Sequence, residues 1–568
     1  MRFRPVRRPR CAIRARLHIG PAARSANAYI HGSAHPAPSE EASPNSRLPW
    51  VLPICASISL IGPARDPRSV RYRGLRPVRV QNRPAVSRWR RQCCQNRRSP
   101  WRVKGSPWWN GSMSLSNLQV GPAWPTEPAS GRGRSHGTSS RQPFDRWFRY
   151  PAGFASDYVQ LLLDRLELTE GMVIDCFAGS GVTGTAARAR GLSFAGIEAH
   201  PFVAELARLK LTPTATAAQV RTLAREVATS ARKAVLAELT TVDSEPDLIR
   251  RSFADHTLKA LLVLRRLIKD RLEDPAALYL KWALLATLRD VADVKVGWPY
   301  QRPGVARKPP HDDPIARFDL RIQAVADDIE SVSGSNVSYR PTSRVTSQIT
   351  SKVLVGDSRD PNVWSQLPTS AAACIASPPY LNNFDYADAT RLELYFWGDV
   401  STWRDMCREV RGDMLTATTQ QSSVREMAVA IARLKERADG SSGPVEEILR
   451  LVESITEAKL RRERRSKEYD QVAPAYFLAM WDVLQNLKDH LAPGGTALWL
   501  VGDSAPYGVY IDTPRLIGDI AVQIGFNLAE DVSLRVRGNR WGQHSDRHNV
   551  PLAERLIVLH KRVEETVG

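Results

Sequence analysis

Ser377-Pro378-Pro379-Tyr380 is the stretch of this chain with the most definite chemistry. It follows an apolar run, Ala371 to Ala376, that reads as a buried strand. Each proline fixes its own φ, lacks an N–H, and forces the residue before it into an extended conformation. Ser377 and Pro378 both precede a proline, so the strand must end in a stiff loop whose carbonyls enter no helix. Those carbonyls and the Ser377 hydroxyl make a fixed row of acceptors, and Tyr380 sets a flat amphipathic ring beside them. Such a row suits a planar group bearing an NH2, for example a nucleobase.

A second candidate site lies upstream, in Asp175-Cys176-Phe177-Ala178-Gly179-Ser180-Gly181-Val182-Thr183. The apolar run Met172 to Ile174 leads into a glycine loop and then into a helix over Thr185 to Arg190. Glycines allow a tight turn and close approach to a ligand, and the helix start behind them offers unpaired N–H groups. In a doubly wound sheet the crevice at the strand C-termini is the ligand site. Two acids end the strands that follow: Glu198 closes Ser193 to Glu198, and Asp357 closes Val353 to Asp357.

The elements that must position these residues alternate strand and helix. An amphipathic helix around Tyr158 to Leu163 precedes the glycine loop. A helix over Ala475 to His490, a turn Ala492 to Gly495, a strand Thr496 to Val501 and a helix Pro514 to Ile524 follow the proline motif. Two last strands fall near Leu528 to Val536 and Arg555 to His560. Two long helical stretches interrupt this alternation, with apolar stripes such as Leu258, Leu261, Leu262 and Leu264. The expected division is a basic leader over 1–142, sheet-forming parts over 143–210, 346–399 and 471–568, and helical insertions over 211–345 and 400–470.

The proline tetrapeptide resembles the Ser-Pro-Pro-Tyr motif of amino-group DNA methyltransferases, which act on cytosine-N4 or adenine-N6. The Asp-x-Phe-x-Gly-Ser-Gly loop resembles the cofactor motif of the same enzymes, and Tyr150-Pro151-Ala152-Gly153-Phe154 looks like the segment often found just before it. The resemblance covers roughly 144–200 and 350–565. It implies an α/β, class I methyltransferase (Rossmann-like) fold: a mostly parallel seven-stranded sheet, antiparallel only at the seventh strand, with helical insertions. It implies S-adenosyl-L-methionine as cofactor, held by Asp175, Phe177, Gly179, Ser180, Gly181, Thr183, Glu198 and Asp357, with Glu198 on the ribose hydroxyls and Asp357 near the adenine. It implies double-stranded DNA as partner, with a cognate restriction endonuclease as a further partner of such enzymes. The long insertion between Glu198 and Asp357 departs from the usual order.

The chemistry then falls to Ser377, Pro378, Pro379 and Tyr380. A nucleobase NH2 is a poor nucleophile because its lone pair is delocalised into the ring. Acceptors aimed at its two N–H groups localise that pair and stabilise the charge formed at transfer. Tyr380 would stack on the base once it has left the duplex. Cytosine-C5 chemistry needs a cysteine nucleophile, in that family usually after proline, and the chain has no Pro-Cys pair. In the resembled family cytosine-N4 enzymes more often carry Ser at this position and adenine-N6 enzymes Asp or Asn, so the resemblance favours cytosine-N4. A neutral hydroxyl, able to donate as well as accept, could also adapt to the acceptor-rich edge of cytosine. An RNA base methyltransferase of the same fold and a catalytically silent DNA-binding relative are the rival readings.

Charge locates no partner. Of 80 Lys+Arg and 59 Asp+Glu, 23 and 3 fall in residues 1–112, which leaves 57 against 56 for the rest. The leader's Arg-, Pro- and Ser-rich composition favours disorder, and Met113, the first Met after Met1, is the expected translation start. The basic and aromatic loop Lys295 to Pro310 and the run Arg461 to Lys467 are candidate phosphate contacts. The seven cysteines match no zinc spacing and no disulfide framework. His544 and His548 lack a third ligand, so no metal is expected. Trp50 to Pro63 is too short and too broken to cross a bilayer. The expected setting is a reducing cytoplasm, with nucleoid association.

Overall fold

Seven strands form one sheet in the computed structural model of the chain: β1 (Met172–Asp175), β2 (Ser193–Glu198), β3 (Ser351–Val355), β4 (Ala371–Ala376), β5 (Leu491–Gly502), β6 (Phe526–Arg537) and β7 (Leu552–Lys561). The structure describes residues 124–125, 138, 141–151, 153–237, 241–296, 303–304, 313–333, 349–381, 384–418, 423–438, 443–462, 468–537 and 551–563. The chain divides into units 1–111 and 112–568, and all described residues belong to the second. Residues 1–112, the expected start Met113, most of the Lys295 to Pro310 loop, residues 463–467, and His544 and His548 lie outside the described residues.

The strand order is β3-β2-β1-β4-β5-β7-β6. β1 pairs in parallel with β2 and β4, β2 with β3, and β4 with β5, while β7 runs antiparallel to β5 and β6. This is the expected α/β arrangement of class I methyltransferases. Chain order reverses between β1 and β4, so the crevice for a ligand opens at their C-terminal ends. The glycine loop and the proline motif hang from these two neighbouring strands.

The period-2 alternation of strand side chains splits the core between the two faces. Val173, Phe194, Ile375 and Leu498 pack under α1 (Ser156–Arg165), α2 (Val182–Ala189) and α3 (Pro201–Leu211). Ile174, Ala195, Cys374 and Ala497 face the other way, into a core that two later helices complete.

The first insertion holds α4 (Ala217–Leu236), α5 (Asp247–Arg250), α6 (Asp255–Lys269), α7 (Ala277–Val291) and α8 (Pro314–Ser333). Thr216 starts α4 with a capping box, its hydroxyl taking the Gln219 N–H. The core of these helices is shared with Phe144, Trp147, Phe148 and Tyr150, so the insertion is built onto the segment before the glycine loop. Buried Asp328 on α8 accepts from the Phe144 N–H at 2.8 Å and from Trp147 Nε1 at 2.9 Å, and pairs with Arg146.

After β3 come α9 (Pro361–Trp364), β4 and α10 (Arg391–Trp397). The second insertion follows as α11 (Trp403–Glu409), α12 (Val424–Arg437) and α13 (Pro444–Leu460), leading to α14 (Tyr469–His490). α14 and α15 (Thr513–Ile524) close the second face of the sheet.

Several boundaries differ from the sequence reading; α2, for one, starts at Val182 rather than Thr185. β3 ends at Val355, so Asp357 stands in the loop beyond it rather than on the strand. α14 starts at Tyr469 rather than Ala475 and carries Pro474 as its sixth residue, beyond the first turn, so the helix forgoes one backbone bond, the one to the Asp470 carbonyl. β5 begins at Leu491 and absorbs the predicted turn, with a register irregularity against β4 between Ala371 and Ala373.

Candidate active site

β1 delivers Asp175 into the sheet's interior, where its carboxylate accepts from the Phe177 N–H at 3.0 Å and from Thr183 Oγ1 at 2.7 Å. Burial pushes the carboxyl up to about 7. Thr183 Oγ1 also lies 3.3 Å from the Ile375 carbonyl oxygen on β4, so one hydroxyl ties the two motif-bearing strands together. The glycine loop is locked from several sides. Gly179 has φ 51° and gives its N–H to Glu198 Oε2 at 2.7 Å. Gly181 has φ 81°, and a Cβ there would stand 3.0 Å from the Ala207 Cβ on α3. From the same helix, fully buried Lys210 donates to the Ser180 carbonyl at 2.9 Å. Burial pulls that ammonium down to about 8.

A pocket with about 820 Å3 of empty space, open solvent included, lies over this loop. Phe177, Gly179, Ser180, Glu198, Asp357, Ser377 and Pro379 all line it, so the two predicted sites share one pocket. Glu198 is held by the His200 N–H on Oε1 at 2.8 Å and by Gly179 on Oε2, and burial raises it to about 7. Asp357 forms an ion pair with Arg359 at 2.7 Å. Beside it, the buried Ser358 hydroxyl donates to the Cys176 carbonyl.

Pro378 and Tyr380 do not line this pocket, and neither do Asp175, Gly181 and Thr183, which brace the loop from behind. The residues of the proline motif adopt no regular structure, as their prolines require. The Ser377 hydroxyl donates to the Leu500 carbonyl of β5 at 3.3 Å, which leaves its lone pairs as acceptors. The Tyr380 N–H donates to the Tyr386 hydroxyl at 3.0 Å, and the Tyr380 hydroxyl donates to Glu554 on β7 at 2.6 Å. Ser504, just past β5, donates to the Leu381 carbonyl. The loop is therefore fastened on both sides. Asn382 and Asn383 lie outside the described residues.

Other lining residues were not among the expected cofactor contacts. Tyr150, Gly153 and Phe154 come from the segment before α1, and the Tyr150 ring would be 3.6 Å from a Cβ on Gly179. Tyr386 follows the proline motif. Asp413, Met414 and Leu415 come from the second insertion, where no pattern marks them. Their turn is fixed by Arg411, which pairs with buried Asp385 and lies 4.6 Å over the Trp403 ring.

The lining fits S-adenosylmethionine. Phe177, Val182, Tyr150 and Leu415 offer apolar faces to a purine ring, and Glu198 and Asp357 offer acceptors to hydroxyls and amino groups. Ser180 Oγ is buried in the wall with no hydrogen-bond partner among the described residues. Such an orphan group needs a partner from a ligand or water. Among the described residues no group of His, Cys, Asp and Glu could hold a metal ion. No helix of the described residues is long and apolar enough to cross a membrane.

The model of the DNA methylase family, N6/N4 type, matches residues 78–209. Type II methyltransferase M.AvaI of Nostoc sp. is 24% identical over 193 residues, covering 33% of this chain and 37% of the relative. Type II methyltransferase M.BsoBI of Geobacillus stearothermophilus is 35% identical over 68 residues, 12% of this chain and 13% of the relative. The chain thus spans well under half the length of the curated relatives it matches. Among solved structures, TrmN from Thermus thermophilus aligns over 72% of this chain and 48% of its own, with 11% identity and a TM-score of 0.23.

Proposed function

We propose that this chain, whose residues 78–209 fall in the amino-group DNA methyltransferase family, transfers a methyl group from S-adenosylmethionine to the exocyclic amino group of a DNA base, with cytosine-N4 as the target. The observation that carries the reading is the shared wall: Gly179 and Ser180 of the glycine loop and Ser377 and Pro379 of the proline motif line one pocket. A donor site and an acceptor site must be this close for direct transfer.

The cofactor supplies an electrophilic methyl on a sulfonium. Glu198 accepts from ribose hydroxyls, Asp357 lies on the adenine side, and Ser180 offers its unpartnered hydroxyl. Ser377, with its proton turned to Leu500, offers lone pairs to the base NH2, and the Pro378 carbonyl supplies a second acceptor. Tyr380 meets the flipped base with its ring. No covalent intermediate on the protein is needed. Double-stranded DNA is the substrate, and the type II names of the relatives extend the reading to a cognate restriction endonuclease as partner.

The test offers duplex DNA, single-stranded DNA and RNA of matched sequence with isotope-labelled cofactor. Label in DNA is the expected result. Label in RNA alone would replace the substrate, and cofactor binding without transfer to any nucleic acid would support the catalytically silent reading.

A further inference from the structure

We propose that Asp413 is a cofactor-binding residue, and that its carboxylate receives the α-ammonium group of S-adenosylmethionine. The inference rests on the cofactor reading above and adds to it a contact from the second insertion.

Three carboxylates line the pocket: Glu198, Asp357 and Asp413. The first two are already engaged. Glu198 accepts two backbone N–H groups, and Asp357 neutralises Arg359. Asp413 is exposed and has neither an ion pair nor a hydrogen bond among the described residues. No lysine or arginine lines the pocket, so its wall carries only negative formal charge. A ligand with cationic centres is what such a wall selects.

The cofactor has two cationic centres, a sulfonium and an ammonium. Only the ammonium has hydrogens to donate to a carboxylate, three of them. Its amino-acid end is also the strongly hydrated end. Exposed Asp413 can bind that end at the solvent side, while Phe177, Val182 and Leu415 suit the purine. The backbone that carries the carboxylate is anchored on both sides. Arg411, two residues earlier, is held by Asp385 and by the Trp403 ring, the Met414 N–H returns to the Arg411 carbonyl at 3.1 Å, and Leu415 is buried. The backbone part of the ordering cost is therefore already met before the ammonium arrives.

The test is calorimetry on the full chain and on Asp413→Asn with three probes. S-adenosylmethionine carries both cationic centres, S-adenosylhomocysteine carries the ammonium alone, and 5′-methylthioadenosine carries neither. In the variant the first two should lose about tenfold or more in affinity to the same degree, the effect of one hydrogen bond to a charged group. The third should bind as to wild type. Asp413→Glu should restore part of the loss. Equal weakening of all three would mean a distorted pocket, and loss for S-adenosylmethionine alone would mean the sulfonium is what the carboxylate meets. Either result overturns the proposal, as would unchanged affinity for all three. Wild-type binding of the probes with unchanged affinities in Asp413→Asn would overturn this proposal alone and leave the cofactor reading standing. Wild-type protein that binds none of them would overturn that reading, and this proposal with it.

Discussion

The Tyr380 hydroxyl donates to Glu554 Oε1 at 2.6 Å, across 174 positions of sequence. Glu554 in turn pairs through Oε2 with Arg535, so the ring of the proline motif is braced by the hairpin of β6 and β7. This contact anchors the ring, as the proposed stacking on a flipped base would require. Tyr380→Phe should keep the stacking face and lose the brace, lowering turnover more than DNA affinity. Tyr380→Ala should remove stacking as well, worth about 1–3 kcal/mol per base. A fluorescent base analogue at the target position reports both. Unquenched fluorescence in wild type, or no difference between the Phe and Ala variants, would count against a stacking role.

Gly179 is the residue through which the cofactor reading is tested most directly. Its φ of 51° disfavours any branched side chain, and a Cβ would enter the space between the loop and the Tyr150 ring. Gly179→Val should abolish measurable S-adenosylmethionine binding in calorimetry while circular dichroism stays native. Native affinity in this variant would remove the glycine loop from the cofactor site.

These two residues show what the sequence could and could not convey. A turn glycine after an apolar strand, or two prolines after another, constrains the backbone locally, so both motifs were legible. The strand boundaries of β2 and β4 followed from their apolar runs for the same reason. Glu554 was not legible as Tyr380's partner, because that contact depends on β7 lying antiparallel beside β5. Asp413 was not legible either, since an exposed acid in a polar turn looks like any solvated residue. Asp357 was misplaced by two positions because β3 stops before a glycine, Gly356, that a run of apolar residues does not reveal.

Glu198 gives a pH dependence. Its carboxyl is raised from an unfolded value of 4.5 to about 7, chiefly by burial. The folded state therefore holds a proton that the unfolded state has released, and its contribution to stability falls as pH rises from 4.5 through 7. Asp175, raised from 3.8 to about 7, acts in the same direction. Hydroxyl donors on a bound cofactor favour the ionised Glu198, so cofactor affinity should rise over the upper part of that window. Glu198→Gln should weaken binding and flatten part of both slopes, in denaturant melts and in calorimetry at pH 5.5, 6.5 and 7.5. Slopes unchanged from wild type would assign the titration elsewhere.

Arg411 and Asp385 form an ion pair between the second insertion and the loop after the proline motif, with side chains 8% and 5% exposed. Removing one member strands the other's charge in the interior, at a cost of about 3–5 kcal/mol. Arg411→Met should show this loss in urea unfolding, together with weaker cofactor binding because the Asp413 turn is released. The double variant with Asp385→Asn should recover much of the stability. No recovery would mean that the Trp403 stacking contact, rather than the pair, holds the turn.

The target base turns on Ser377. Both cytosine and adenine present a planar NH2, and an acceptor row alone does not choose between them. A neutral hydroxyl can donate as well as accept, but in the structure the Ser377 proton is directed to the Leu500 carbonyl at 3.3 Å. What Ser377 then offers is a pair of neutral lone pairs. A carboxylate in its place would be a stronger acceptor, but a charged one with no proton to give. A neutral oxygen avoids the repulsion that a carboxylate would feel from the O2 and N3 of cytosine. That, with the resemblance to serine-bearing cytosine-N4 enzymes, is why cytosine-N4 is the expected target. DNA methylated in vitro should yield N4-methylcytosine on nucleoside digestion and mass spectrometry. Ser377→Asp should cut transfer to cytosine by at least tenfold, since one repulsive contact of about 1.4 kcal/mol in the transition state has that effect. N6-methyladenine as the sole product would overturn the target base and leave the pocket, the acceptor row and Tyr380 in the same roles.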